Sequence, residues 1–255
     1  MNIMGCLYMK MMIWNCGGAF ANQQKYRKIP PDIDIGVIIE CNNIGPQSMK
    51  EKVKYAWRFE LKKRQVFANY HYDIHKETDL GIAVFVYNDK YKLKKEYIIA
   101  DWLKHFLVFT INDKIRIVVY HGYSKGLNGI GDLRYAIDRY KKELFNNIPL
   151  FICGDFNSNI NKDSENPVHT HSECEKEMVK NGLESYYDLQ YGKTIEKKPT
   201  WRQKRNKSRG KENHIDYFFG GVKYFQKDKF SLGGKEWWDY SDHIPLFVEM
   251  DDELF

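Results

Sequence analysis

The chain has 255 residues, of which 43% are hydrophobic and 29% charged, with a high aromatic content of 15%. These values fit a folded globular protein and exclude a disordered or collagen-like chain, and no stretch reaches the roughly 20 apolar residues needed to span a bilayer. The formal net charge of +6 sits in one place: "RQKRNKSRGK" (202–211) holds six basic residues and no acid, so the remainder sums to zero.

In chain order, "MNIMGCLYMKMMIWN" is apolar, short and broken by Lys10. It has no basic leader and reads as a first strand at 8–14, with Met9 or Met11 as alternative starts. Further strands are expected at 34–39, 80–87, 105–111, 115–120, 149–153, 214–219 and 243–249, where apolar residues alternate or run together. Residues 50–64 are lysine-rich and fit neither pattern. A helix is expected over 132–145, where Leu133, Ala136, Ile137, Tyr140 and Leu144 follow helical spacing and Asp132 caps the start. A second is expected over 172–181, opened by a Ser172–Glu175 capping box and closed by Gly182.

Strands outnumber helices, and several neighbours are close enough to form hairpins. The expected fold is α/β, with two mainly antiparallel sheets packed face to face and helices outside. No Pro/Gly/Ser-rich linker divides the chain, so residues 1–255 read as one domain. The five cysteines (Cys6, Cys16, Cys41, Cys153 and Cys174) are odd in number and lack metal-ligand spacing. They point to a reducing, cytoplasmic setting.

Polar residues interrupt the apolar runs at particular places. Asn15 ends the first run, Glu40 closes "IDIGVIIE", and His121 follows "IRIVVY". Asp155 and Asn157 follow "PLFICG", Asp216 lies inside "HIDYFF", and Asp242-His243 opens "HIPLFVE". An unpaired buried charge costs several kcal/mol, so each must meet water, a partner or a metal. If the strands lie side by side with these ends on one edge, the result is an acidic, histidine-containing pocket. Carboxylate and carboxamide oxygens suit Mg²⁺ or Mn²⁺ better than Zn²⁺, and such a site suits phosphoryl chemistry. Asp155 and Asn157, at i and i+2, would point the same way from an extended edge, with Gly154 letting the chain turn close to the pocket. The basic residues Arg202, Lys204, Arg205, Lys207, Arg209 and Lys211, in an exposed loop or hairpin tip beside Trp201, can track phosphates.

"WN" at 14–15, "IIEC" at 38–41, "GDFNSN" at 154–159, "HIDYFF" at 214–219 and "SDHIPL" at 241–246, in this order, resemble the exonuclease-endonuclease-phosphatase superfamily. That group contains pancreatic deoxyribonuclease and the apurinic/apyrimidinic endonucleases, and the nearest likeness is to its small bacterial members. The resemblance implies a four-layer sandwich and a Mg²⁺-dependent phosphoesterase. It makes Glu40 the principal metal ligand, with Asp242 nearby and Asn15 in support. Asp155 would orient or deprotonate water, Asn157 would hold the scissile phosphate, and Asp216 and His243 would form a carboxylate–imidazole pair. His121 would be a second acid/base group or a phosphate contact, with Tyr123 the lesser candidate. Either Asp155 or His243 could be the general base.

The expected substrate is nucleic acid, DNA more than RNA, with no membrane partner. A phosphatase or phosphodiesterase for a small or lipid phosphate, and a non-catalytic nucleic-acid-binding module, are the alternatives. Trp237 and Trp238 fit core packing better than base stacking, and the His169-x-His171 pair reads as a solvent-exposed loop feature.

Overall fold

The apolar alternation of "YMKMMIWN" becomes strand β1 (Tyr8–Asn15) in the computed structural model of the protein. Met9, Met11 and Ile13 face one hydrophobic cluster, and Met12 and Trp14 face another, as a period of two requires. The structure describes residues 8–18, 20, 25–42, 66–71, 80–99, 103, 105–122, 130–165, 170–193, 197–203 and 210–255. Among these, no helix is long and apolar enough to cross a membrane.

Two six-stranded sheets form the centre. The first has β1, β2 (Ile35–Asn42), β3 (Val66–His71), β4 (Leu80–Val86), β13 (Phe230–Leu232) and β14 (Leu246–Asp251), in the order β13-β14-β1-β2-β4-β3. The second has β5 (Leu93–Glu96), β6 (Phe106–Ile111), β7 (Ile115–His121), β8 (Leu150–Asp155), β9 (Leu183–Ser185) and β12 (Asp216–Gly221), in the order β5-β6-β7-β8-β12-β9. Among the described strands, β1 with β2 and β7 with β8 run parallel, and the other pairs are antiparallel. The fold is therefore the expected sandwich of two mainly antiparallel sheets.

Residues from both sheets, Val37, Ile39 and Val84 with Phe109, Ile117 and Phe151 among them, share the central core. On the outer face of the second sheet pack α1 (Gly131–Arg139), α2 (Lys141–Leu144) and α3 (His171–Lys180). On the outer face of the first, Phe20 and Tyr26 join Trp237 and Trp238 of the 3₁₀ helix Lys235–Asp239. Trp237 and Trp238 are buried there, in the core. A short α4 (Tyr186–Tyr191) follows β9.

The expected helix over 132–145 breaks at Tyr140, whose φ of −110° and ψ of 22° are not helical. Ile130, not Asp132, occupies its N-cap, and no side chain caps it. The box that opens α3 is formed by Thr170 and Glu173 instead of Ser172 and Glu175. Ser172 is diverted to Asp163, which also accepts from the backbone N–H groups of His171 and Ser172. Gly182, with φ of 83°, follows the end of α3 as expected. The basic segment lies on a hairpin, β10 (Trp201–Arg202) against β11 (Glu212–Asn213); Lys204, Arg205, Lys207 and Arg209 fall outside the described residues, as do Cys6, Tyr123 and His169. The four described cysteines are buried free thiols.

Gly154 lies within β8, with φ of 133°, and a Cβ there would sit 2.0 Å from the Tyr120 carbonyl oxygen. Its role is close strand approach within the sheet, in place of the expected turn. Both the dihedral and the overlap exclude a side chain, so Gly154→Ala is expected to destabilise the protein by more than about 2 kcal/mol. A urea unfolding curve checks this.

Candidate active site

The parallel pairs bring four strand ends together. β1 ends at Asn15, β2 carries Glu40 near its end, β7 ends at His121 and β8 at Asp155. β12 runs the other way and begins at Asp216, so His121, Asp155 and Asp216 stand side by side on neighbouring strands. The segment before β14 adds Asp242 and His243. One edge of the sandwich thus collects Asn15, Glu40, His121, Asp155, Asp216 and His243.

Glu40 reaches the edge through a bulge. The β2–β4 register shifts between Ile38 and Cys41, which both pack in the same outer cluster, and Glu40 takes a φ of 53°. A non-glycine residue in this region stores roughly 1–3 kcal/mol. Asn15 holds the result together: its Nδ2 donates to Glu40 Oε1 at 3.1 Å and to Asp155 Oδ2 at 2.9 Å. Its Oδ1 accepts from Gly17 N.

Asp155 is 1% exposed. His243 Nε2 lies 3.7 Å and His121 Nε2 4.0 Å from its Oδ2. Burial raises its carboxyl to about 6, against the pull of His243. His243 Nδ1 meets Asp216 Oδ2 at 2.9 Å, so Nδ1 carries the proton and Nε2 faces Asp155. Burial alone would lower the His243 ring, but Asp216 and Asp155 outweigh it and bring it up to about 10. Glu40 shows the same contest in reverse: burial raises it, while His121 and Asn15 bring it down to about 2. His121 Nε2 is 3.5 Å from Glu40 Oε1, and Glu40 and Asp155 raise its pKa against burial.

Asn157 departs from the expected extended arrangement. Its φ is 49°, and its backbone N–H donates to Asp155 Oδ1 at 2.8 Å, closing an Asx turn. Its Nδ2 donates to the Gly122 carbonyl at 2.6 Å and to Asp155 Oδ2 at 3.1 Å. Both amide hydrogens are engaged, so contact with a phosphate requires exchange of one bond.

Asp242 accepts from the Trp201 indole at 3.3 Å. It belongs to neither compact ligand group found among the described residues, Glu40–His121–Asp155 and Asp155–Asp216–His243. The Arg202 guanidinium lies over the Trp238 ring at 4.9 Å and donates to its carbonyl. That residue is committed to the fold, while Lys211 is exposed.

Sequence patterns do not reveal the residues that lock these pieces. Ser241 Oγ donates to the Asn15 carbonyl and accepts from His243 N–H. The fully buried Thr200 accepts at Oγ1 from Ile215 and Asp216 N–H, and its carbonyl accepts from Ile244 N–H.

A hard divalent cation fits the donor set. Glu40 Oε2 takes no hydrogen bond from a described residue and the side chain is 28% exposed, whereas Oε1 is held by Asn15. With both imidazoles protonated, the four carboxylates still leave uncompensated negative charge.

No family model and no curated protein matches this sequence. Solved structures do. An AP endonuclease from Leishmania major superposes with a TM-score of 0.66 at 13% identity, over 96% of this chain and 88% of that one. A 3'-5' exonuclease from Neisseria meningitidis gives 0.63 at 14% identity, over 95% and 100%. A Neisseria 3' phosphatase bound to a product DNA hairpin gives 0.62 at 14% identity, over 95% and 99%. The chain has the fold of the endonuclease/exonuclease/phosphatase structures.

Proposed function

We propose that the protein is a divalent-metal-dependent phosphoesterase that hydrolyses phosphodiester bonds in nucleic acid, DNA in preference to RNA. The observation that carries this reading is the meeting of Asn15, Glu40, His121, Asp155, Asp216 and His243 on one edge of the sandwich. The Neisseria neighbour solved with a product DNA hairpin supports nucleic acid as the substrate. The buried free thiols agree with a cytoplasmic setting.

Glu40, with Asn15 bonded to its Oε1 and Asp242 as a further ligand, would hold Mg²⁺ or Mn²⁺, which would neutralise phosphate charge and polarise the scissile bond. Asp155 takes the water proton. A carboxyl raised to about 6 is a better base at neutral pH than an ordinary aspartate. His243, up to about 10, is already protonated and is a poor base at that pH. Its Nε2 lies 3.7 Å from Asp155, on the side of the attacking water. In-line displacement sends the leaving oxygen the other way, so the imidazolium is assigned to charge developing on the non-bridging phosphate oxygens. Asp216 fixes its tautomer, and Asn157 orients Asp155.

The test is a panel of supercoiled, linear, single-stranded and abasic DNA and of RNA. Cleavage is expected with Mg²⁺ or Mn²⁺ and none with chelator, and binding should weaken steeply with salt because counterions are released. Intact substrate across the whole panel with metal present removes the proposal.

A further inference from the structure

A cavity of about 530 Å³ opens on the opposite face of β12 from the candidate active site, beside α3 and α4. Asn159, His171, Asp188, Lys197, His214 and Tyr217 contribute to its wall. His214 and Asn159 are each two residues from Asp216 and Asn157, so this cavity begins where the catalytic edge ends.

Its polar groups are mismatched with their surroundings. Asn159 Oδ1, His171 Nδ1 and His214 Nε2 are buried and have no hydrogen-bond partner among the described residues. His214 Nδ1 lies 2.8 Å from the Lys198 carbonyl, which can only accept, so Nδ1 bears the hydrogen and Nε2 presents a lone pair. Burial favours the neutral forms of both rings, taking His214 to about 3 and His171 to about 4. Asn159 Nδ2 is spent on Asn213 Oδ1 at 3.2 Å, which turns its own oxygen into the free acceptor. Lys197 Nζ is already taken by Asp188, at 2.8 and 2.9 Å from its two oxygens. The cavity therefore offers acceptors and asks for donors.

That pattern limits the occupant. Glu175, Asp188 and Glu212 outnumber Lys193 and Lys197 in the wall, which disfavours a phosphate. The histidines and Asp188 do not come within common coordination distance among the described residues, which disfavours a metal. The Tyr217 ring is 3% exposed and carries the His171 and His214 rings on it, each 4.9 Å away, so the three together form an aromatic wall. The volume suits one nucleoside. We propose that this cavity binds an unpaired nucleobase bearing an exocyclic amino group, set against the wall of His171, His214 and Tyr217 rings and hydrogen-bonded to Asn159 Oδ1 and His214 Nε2. This rests on the nuclease reading for its biological sense.

The experiment is calorimetric titration of the intact protein with deoxyguanosine, deoxyadenosine, deoxycytidine and thymidine, together with the ¹⁵N resonance of His214 Nε2. The three amino-bearing nucleosides are expected to bind at least about tenfold more tightly than thymidine, because a buried acceptor left unpaired is what rejects the wrong analogue. The Nε2 signal should shift on binding, and Asn159→Leu should abolish the preference. Equal binding of all four, or no binding with Nε2 unmoved, overturns the proposal. The wild-type resonance decides the matter even if the variant fails to fold. Nucleosides carry no phosphate, so this result and the cleavage panel fail independently.

Discussion

Asp155→Ala is expected to lower the turnover of nucleic acid cleavage by at least about 10³, the scale of losing both a general base and the group that orients its water. Asp155 is the one residue shared by the two compact groups of the edge, Glu40–His121–Asp155 and Asp155–Asp216–His243. It accepts from Asn15 and Asn157 and faces both imidazoles. Asp155→Asn keeps the shape but cannot take a proton, so it should lose nearly as much activity. Its amide places a donor where both Asp155 oxygens accept and leaves the charged His243 ring less compensated, so the variant should also melt below wild type. Turnover at saturating substrate, measured beside a thermal melt, checks both statements. An Asn variant retaining more than about a tenth of wild-type turnover is incompatible with Asp155 as the base.

The parts of the fold legible in the sequence are the interior strands of the two large sheets. β1, β2, β4, β6, β7, β8, β12 and β14 all arise from apolar runs, and they occupy interior positions in the two sheets. Within the two six-stranded sheets, the four strands the patterns do not announce, β3, β13, β5 and β9, are the four sheet edges. An edge strand pairs on one side only and is short or charged, as "LKKE" of β5 is, so its residues carry little hydrophobic signal.

The site divides along a similar line. Asn15, His121, Asp155 and Asp216 are legible because each interrupts an apolar run at or beside a strand end, and sheet register does the rest. What is not legible is conformation that depends on other segments. The bulge at Glu40 and the left-handed Asn157 are set by contacts from Asn15, His121 and Gly122, and no local pattern encodes them. Thr200 and Ser241 act through backbone groups of residues far away in the chain. His171, expected at the surface, is 3% exposed, because the start of α3 is turned inward against Phe156 and Tyr217.

Asp216→Asn is expected to cost about 10³-fold or more in turnover, the scale of removing the carboxylate from a carboxylate–imidazole pair, and to change how the protein responds to alkali. In the folded chain His243 holds its proton up to about 10, whereas the ordinary histidine value is 6.5. Between those values the folded state binds more protons than the unfolded one, so stability falls as pH rises. The stabilisation from His243 is fully present below pH 6.5 and gone once pH has passed about 10. Glu40 is lowered to about 2, so its contribution is lost only on the acid side. Urea unfolding in chelator at pH 6.5 and pH 10 should therefore show a loss on the order of several kcal/mol in the wild type. Asp216 is the leading charge holding the ring protonated, so Asp216→Asn should flatten that slope, and His243→Gln, which has nothing to titrate, should remove its contribution. A wild-type slope that survives unchanged in both variants means that the imidazole is not paired with Asp216 in solution, and the assignment of His243 as a fixed positive charge fails with it.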